Sequence, residues 1–423
     1  MDLLDRIARI LGGQSSAGSE SRDSRRYPPL EDLVDGSWVE RGEARVFVAE
    51  AHRTWSDHHG QHALVELEQV DATRWASVLF QPPEPFDVRG ALFLDTETTG
   101  LGRGPGTFCF MVGTARREAQ GIQVRQYLAP DYGDEALLLE LLEHDLAATT
   151  GVVTFNGRTF DLPLLETRYV LNGYARTPLY RVPHLDLLPV ARRLWRRFSP
   201  SCALSALETG VLGVVRDSLD IPGYLIPDIY RQYQMTGDPR EMEGIFYHNK
   251  LDVLSMVTLL VHADGSLDPQ RSRGGGAHHD PLAVGRLHEA DAAAEEALEA
   301  YRRAASSADP LVQREARQRL GALLKRQGRL SEAAAVWQDA LQDGVLYPYV
   351  ELAKYYEHHL RSYAQAQGVV QSAVRALASG WIADADPHRA MMELASREAR
   401  LAIRQANAAR RGGSGTGSDS STA

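Results

Sequence analysis

Two carboxylates lie at the end of a strand-like apolar run. Asp95 and Glu97 occur in GALFLDTETT, two positions apart, so both side chains point to the same face at the carboxyl end of a strand. Two neighbouring acids repel each other, and a divalent cation removes that repulsion. Their hard oxygens suit Mg²⁺ or Mn²⁺ much better than zinc. Taken alone, the pair fits a metal site and also a solvated pair at a strand end.

A third acid, Asp161, follows the next strand-like run. It lies in FNGRTFDLPLL, after GVVTF and at the predicted start of a helix, where aspartate commonly caps the first turn. Asn156 and Gly157 in the same segment either form a turn or bring the backbone close to a ligand. Asp161 is therefore a candidate ligand and also a candidate helix cap.

A histidine and an aspartate interrupt the apolar face of a long predicted helix. In EMEGIFYHNKLDVLSMVTLLVHA, His248 and Asp252 lie one turn apart, on the face that also carries Ile245, Met256 and Leu259. A buried carboxylate requires a hydrogen-bond donor, an opposite charge or a metal ion. The two side chains either satisfy each other in the core or belong to a site.

An arginine-rich segment lies between these candidates. The sequence ARRLWRRF places four arginines around one tryptophan: Arg192, Arg193, Trp195, Arg196 and Arg197. Arginine beside aromatic rings suits phosphate contacts and base stacking along a single strand. A solvated amphipathic helix shows the same pattern, and the nearby acids favour the nucleic-acid interpretation.

The elements that position these residues follow from the periodicity of the sequence. The runs GALFLDTETT, TFCFMVGTARR and IQVRQYLA predict an antiparallel meander of three strands. A Leu-rich helix, the short strand GVVTFN and further helices follow. This order predicts an α/β domain that ends near Ala263.

The rest of the chain differs in composition. The last third is almost entirely helical, and the spacing of 32 residues between Leu320 and Leu352, with small residues at Ala334 and Ala366, resembles tetratricopeptide repeats. We predict a flexible N-terminal segment (1–26), an accessory extended segment (27–87), the α/β domain (88–263), a linker (264–281), a helical tetratricopeptide-like domain (282–408) and a disordered tail (409–423).

Composition limits the function classes. The chain has 423 residues, of which 43% are hydrophobic, and a formal net charge of −10. That charge argues against a protein that coats nucleic acid nonspecifically but leaves room for a local basic groove. Two cysteines without a CxxC spacing predict a reducing compartment, the cytoplasm. No apolar run is long enough to span a membrane, so we expect no membrane partner.

Together, the four carboxylates resemble those of the DEDD exonucleases of the ribonuclease H-like superfamily, over about residues 90–263. LDTETTG is similar to the first motif of that superfamily, NGRTFD to the second and HNKLD to the third. The longer phrases DTETTGLGRGPGTFCFMVG, TFNGRTFDLPLLETRY, HLDLLPVARRLW, DIPGYLIPDIY and HNKLDVLSM are similar to the YprB-like branch, which tends to carry C-terminal helical repeats. The resemblance implies a mixed sheet, three antiparallel strands plus parallel strands, flanked by helices.

The resemblance also implies a metal-dependent active site. Asp95 would bridge two Mg²⁺ or Mn²⁺ ions, Glu97 and Asp252 would complete the shell of one ion, and Asp161 would hold the other. His248 would take a proton from the attacking water, because a neutral imidazole with a pKa near 6.5 can do so at cellular pH.

The spacing of the base departs from that of the wider superfamily. His248 lies four residues before Asp252, whereas the histidine form of the superfamily places His five before, and Tyr247 occupies that position here. The tyrosine form places Tyr four before. The HxxxD spacing is similar to that of the YprB-like branch, and histidine has the more suitable pKa, so we expect His248 to be the base.

Other residues are expected to support the site or the substrate. His184 and Asp186 in VPHLDLL would support the ligands without binding metal themselves. The glycine-rich loop LGRGPGTF would let a nucleic-acid end approach Glu97 and Thr98, or would form a plain hairpin turn.

These features predict a metal-dependent exonuclease, acting 3′ to 5′ on DNA in repair or processing, with RNA as the near alternative. A second hypothesis is a nucleic-acid-binding scaffold with weak or no catalysis, whose helical repeats recruit a partner. The resemblance implies cooperation with a helicase or another repair protein in either case.

Overall fold

The computed structural model of the protein describes residues 27–72, 74–75, 86–100, 106–175, 177, 179, 182–197, 199–268, 280–290, 292–383 and 386–413. The chain divides into two units, residues 1–279 and 280–423. The predicted N-terminal segment, residues 101–105 of the glycine-rich loop and most of the predicted linker and tail lie outside the described residues.

A seven-stranded mixed sheet forms the first unit, in the order β1-β2-β7-β6-β5-β8-β9. Its strands are β1 (Gly36–Arg41), β2 (Ala44–Thr54), β5 (Leu92–Thr98), β6 (Cys109–Glu118), β7 (Gly121–Leu128), β8 (Val152–Thr154) and β9 (His184–Asp186), and β3 (His58–His59) pairs separately with β4 (His62–Ala63). Strands β5, β6 and β7 are antiparallel, while β8 runs parallel to β5 and β9 parallel to β8. The predicted mixed sheet, an antiparallel meander joined to parallel strands, is confirmed.

Part of the segment 27–87, predicted as an accessory extended segment, pairs with the main sheet. Strand β2 pairs with β7 over eight residues, from Phe47 opposite Leu128 to Thr54 opposite Gly121, so this segment extends the sheet at one edge. The sequence predicted a meander of β5 to β7 alone. The pairing of a hairpin with a strand far along the chain cannot be read from the periodicity of either segment.

Six α-helices flank the sheet of the first unit. They are α1 (Glu135–Ala147), α2 (Asp161–Leu171), α3 (Leu187–Trp195), α4 (Leu204–Leu207), α5 (Ile226–Thr236) and α6 (Met242–Leu267), counted over the described residues. The longest, α6, packs against β5, β6 and β7 and is buried almost all round from Val253 to Leu267. It runs four residues past the predicted domain end at Ala263, because its apolar pattern continues through Leu267.

The second unit is helical, as predicted. Its helices in the described part of the chain are α7 (Pro281–Ala290), α8 (Ala294–Ala304), α9 (Pro310–Arg326), α10 (Leu330–Asp339), α11 (Tyr347–Lys354), α12 (Tyr363–Ala378) and α13 (Pro387–Gly413). The corresponding positions Leu320 and Leu352, and Ala334 and Ala366, are all buried. Helix α13 extends to Gly413 and so includes residues 409–413 of the predicted tail. Assignment to the tetratricopeptide repeats stays a prediction.

Replacing Phe47 tests whether the first hairpin is integral to the domain. The Phe47 ring is fully buried and packs edge-on against Phe246 of α6, with ring centroids 5.7 Å apart. We expect Phe47→Ala to lower the free energy of unfolding by about 3–5 kcal/mol, measured by urea denaturation, and the half-exposed Val65→Ala to change it by less than about 1 kcal/mol. An equal effect of the two changes would contradict an integral role of the hairpin.

Candidate active site

The carboxyl end of β5 gathers the first three acids. Asp95 and Glu97 lie on this central strand, and Asp95 pairs in register with Gly113 of β6. Asp161 is the first residue of α2 rather than the residue before it. Its Oδ1 accepts a hydrogen bond of 2.5 Å from Thr96 Oγ1, which ties the start of α2 to β5. Asp161 therefore bonds to the strand that carries the other two acids.

Asn249 of α6 joins the sheet to Asp95. Asn249 Nδ2 donates to Asp95 Oδ2 at 2.9 Å, and Asn249 Oδ1 accepts from Gln126 Nε2 at 2.9 Å. Asp95, Gly113 and Gln126 are successive register partners on β5, β6 and β7. A Cβ at Gly113 would lie 1.9 Å from Asn249 Oδ1, so glycine alone leaves room for the amide. The register of the sheet thus sets the position of the first carboxylate.

Arg216 links the last acid to the surrounding chain. Its guanidinium donates two hydrogen bonds of 2.7 Å to the buried Glu208 and another to Asp252 Oδ1. It also donates to Asp220 Oδ1 at 3.2 Å. Planar arginine forks hold carboxylates in a fixed orientation. Asp252 is therefore held from outside α6 as well as by the helix itself.

His248 lies between two carboxylates. Its Nδ1 is 2.8 Å from Asp220 Oδ1, and its Nε2 is 3.6 Å from Asp252 Oδ2. Burial opposes the charged imidazole, but the hydrogen bond to Asp220 and the charges of Asp252 and Glu97 outweigh it and raise the pKa of His248 to about 9. This differs from the expected pKa near 6.5, because the sequence did not show the acid that contacts Nδ1.

Burial raises the pKa of all four acids, and repulsion within the set adds to this at Asp95 and Glu97. Burial raises the pKa of Asp95 well above its usual range, and the charges of Asp252, Glu97 and Asp161 raise it further. The same two causes raise the pKa of Glu97 to about 8, against the opposing charge of His248. Burial also raises the pKa of Asp161, to about 6, and that of Asp252. All four shifts show that the site favours added positive charge.

The donor set fits a hard divalent cation by its chemistry. Four carboxylates that repel one another offer only oxygen ligands, the type that Mg²⁺ and Mn²⁺ take. In their present conformations, no three His, Cys, Asp or Glu side chains of the described residues stand close enough to hold one ion. The oxygens bond instead to protein donors, Asp95 to Asn249, Asp161 to Thr96 and Asp252 to Arg216.

His184 and Asp186 support the turn that precedes α2. Asp186 accepts hydrogen bonds from the backbone N–H groups of Asn156 at 2.8 Å and Arg158 at 3.2 Å. The buried His184 Nε2 lies 2.8 Å from Thr154 Oγ1. Asn156 itself is exposed and has a left-handed backbone, with φ of 68°. These contacts hold the turn before α2, and the role of the pair beside the proposed ligands stays a prediction.

Trp195 corrects the expected nucleic-acid surface. Its ring is completely buried, 5.7 Å from the ring of His262, so it has no face to offer a base. Position 262 is ten residues beyond Asp252, which is about 15 Å along α6. The four neighbouring arginines are exposed: Arg192, Arg193, Arg196 and Arg197. Helical spacing places Trp195 on the inner face of α3 and Arg192 and Arg193 on its outer face, which explains why the ring is buried and these arginines are exposed. Arg196 and Arg197 follow the end of the helix.

Thr98 is also less available than expected. Its side chain is buried, and Thr98 Oγ1 donates to the carbonyl of Gly100 at 2.8 Å. The hydroxyl thus shapes the start of the glycine-rich loop. A contact of Thr98 with nucleic acid would have to use other atoms.

Sequence reasoning missed Glu208, Arg216, Asp220 and Asn249. The first three lie in irregular or short elements, where no periodicity marks an inward position. Asn249 lies inside the motif HNKLD but is an uncharged residue between two candidates. The one signal in the sequence was spacing: Asn249 lies four residues after Ile245 and seven before Met256, on the same face of α6.

Comparison with known proteins identifies the class of this domain. A family profile described as the RNase_H superfamily matches residues 92–264, which run from the start of β5 into α6. The first unit is thus a ribonuclease H-like domain. The chain is also 32% identical over 336 residues to a protein named "Uncharacterized protein YprB" from Bacillus subtilis (strain 168), covering 77% of this chain and 80% of that protein. The chain therefore belongs to the YprB-like family.

Helices of membrane-spanning character are absent from the part of the chain that the structure describes. None of them combines the required length with sufficient hydropathy.

Removing Arg216 tests its role in balancing charge. We expect Arg216→Leu to lower the free energy of unfolding by about 3–5 kcal/mol, because Glu208 and Asp252 then lose the guanidinium that bonds to both. Arg240→Leu removes an exposed ion pair with Asp238 and is expected to change it by about 1 kcal/mol or less. Urea denaturation at pH 7 measures both. A loss no greater for Arg216 than for Arg240 would contradict this role.

Proposed function

We propose that this protein is a metal-dependent nuclease that hydrolyses phosphodiester bonds of nucleic acid. The observation that carries the proposal is the position of four carboxylates, Asp95, Glu97, Asp161 and Asp252, on β5 and on the two helices, α2 and α6, that contact it in a ribonuclease H-like sheet. Charges taken out of water are normally paired with an opposite charge or a metal ion. Among the described residues, Arg216 and His248 are the cations that contact the four acids, and both do so at Asp252.

The four acids are the ligands proposed for two Mg²⁺ or Mn²⁺ ions. Asp95 would be shared, Glu97 and Asp252 would complete one shell, and Asp161 would hold the second ion. When bound, such ions activate water and stabilise negative charge on the phosphate and the leaving oxygen. Asp252 would exchange its bond with Arg216 for this interaction. Asn249 would keep Asp95 oriented throughout, since it bonds to Oδ2 from the side of the sheet.

His248 is the proposed proton acceptor. The bond between Nδ1 and Asp220 fixes the ring, so that Nε2 faces Asp252 and the other acids. Its pKa of about 9 is set largely by the neighbouring carboxylates, so cations held by those acids would lower it and leave Nε2 free to accept a proton. Asp220 is thus a positioning residue, and it would also stabilise the imidazolium that forms.

The finer features of the proposal come from likeness to the DEDD exonucleases. They are stepwise cleavage from an end, 3′ to 5′ polarity, and DNA in repair or processing as the substrate, with RNA as the alternative. A non-catalytic scaffold stays the second candidate, favoured only by the extended helical unit at residues 281–413. Recruitment of a helicase by that unit and a cytoplasmic location stay predictions.

Changing the acids tests catalysis. Asp95→Asn and Asp252→Asn are each expected to reduce cleavage at least about 100-fold, because each removes a charge that holds a metal ion. The assay is digestion of end-labelled single- and double-stranded DNA and matched RNA with Mg²⁺, Mn²⁺ or EDTA. Asp228→Asn, an exposed acid of α5, serves as control and should cleave like wild type.

The pattern of products in this assay decides between the candidates. Stepwise shortening that requires both metal and Asp252 is the expected result, and the labelled end reports polarity. Full activity in either variant would contradict the proposed ligands, while wild-type protein that binds strands without cutting them under any condition would favour the scaffold.

The base and its positioning residue are expected to differ in effect. His248→Gln should lower kcat about 10²- to 10⁴-fold, since it removes the proton acceptor. Asp220→Asn keeps the shape and loses the charge, so we expect a smaller loss of about 10- to 100-fold in kcat with KM nearly unchanged. Single-turnover rates measure both. A larger effect at Asp220 than at His248 would contradict the assigned roles.

A further inference from the structure

A segment of irregular structure, residues 213–225, forms one rim of the candidate site. We call it the rim segment. Its inward residues reach the catalytic groups, since Arg216 bonds to Asp252 and Asp220 to His248. Gly223 lies beside the proposed base, because a Cβ at that position would be 3.8 Å from His248 Nε2. The residues next to these contacts therefore stand at the edge of the site.

Apolar side chains on the rim segment face solvent. Val215 precedes Arg216 and is 85% exposed, and Tyr224 follows Gly223 and is 70% exposed. Exposed tyrosine and valine gain nothing from hydrophobic burial in the folded chain. Val215 is next in sequence to Arg216, which bonds to Asp252, and Tyr224 is next to Gly223, which lies near His248. Both side chains are thus available to contact a substrate at the site.

The backbone beneath Tyr224 is fixed. Ile221, three residues before it, and Leu225, directly after it, are both buried. Ile221 packs against Gly244 at the start of α6, where an added Cβ would lie 2.3 Å from Ile221 Cδ1. A tyrosine has few rotatable bonds, so an exposed ring on a fixed backbone offers a preformed surface at small entropic cost. This distinguishes Tyr224 from an exposed side chain on a chain end.

We propose that Tyr224 of the rim segment is a stacking platform for an unpaired base next to the scissile phosphate. This inference rests on the proposed nuclease function and names its substrate class, a nucleic-acid strand with an unpaired end. Bases stack on aromatic rings with little dependence on sequence. A paired terminal base already stacks within its duplex, so Tyr224 adds binding mainly for single-stranded ends.

The test uses the full-length chain and two readouts. The first is the fluorescence of 2-aminopurine placed at the terminal position of a single-stranded oligonucleotide, in buffer with Ca²⁺, since stacking quenches it. The second is KM for cleavage of single-stranded and blunt double-stranded DNA with Mg²⁺ or Mn²⁺. The variants are Tyr224→Ala, Tyr224→Phe, which keeps the ring, and Met235→Ala, an equally exposed apolar residue at the far end of α5.

We expect quenching in wild type, in Tyr224→Phe and in Met235→Ala, and its loss in Tyr224→Ala. The last variant should also raise KM on single strands at least about fivefold and leave KM on blunt duplexes unchanged. If wild type cleaves DNA and Tyr224→Ala equals it in both readouts, the platform is refuted and the nuclease stands. If wild type neither binds nor cleaves any strand, the proposed function fails and the platform with it.

Discussion

Four carboxylates crowded at the end of one strand repel one another, and the surrounding structure is arranged around that repulsion. Burial raises the pKa values of Asp95 and Glu97, and the charges of Asp161 and Asp252 raise both of them further. A fold keeps such a group only if other forces hold the backbone in place. Here β5 supplies them, because hydrogen bonds to β6 and β8 on both sides fix the strand that carries the first two acids.

The donors around the acids divide the task among three parts of the fold. The sheet holds Asp95 through Gln126 and Asn249, and the absence of a side chain at Gly113 makes this contact possible. Arg216, anchored on the buried Glu208, reaches Asp252 from the rim of the site. In the described part of the chain, Arg216 and His248 are the cations that contact the acids, and both do so at Asp252. The other three acids have no ion pair there, which suits the divalent cation proposed above.

The sequence predicted what depends on local pattern. Alternation predicted β5 to β7, and helical spacing placed His248 and Asp252 on one face, because both follow directly from backbone geometry. It did not predict that β2 joins β7, or that Arg216 contacts Asp252 and Asp220 contacts His248, since those contacts depend on how distant segments pack. The prediction that Trp195 contacts nucleic acid was wrong for a related reason, because the exposure of a side chain depends on what packs against its helix. The resemblance to a family predicted the four acids as a set more specifically than their spacing alone did.

The central claim is that the four acids form a divalent-cation centre. The most direct measurement is isothermal titration calorimetry of Mn²⁺ into full-length wild type and the Asp95→Asn variant, each checked to be folded. The account predicts saturable binding in wild type that is lost or weakened at least about tenfold in the variant. Equal binding in both proteins, or no binding in wild type, would contradict it.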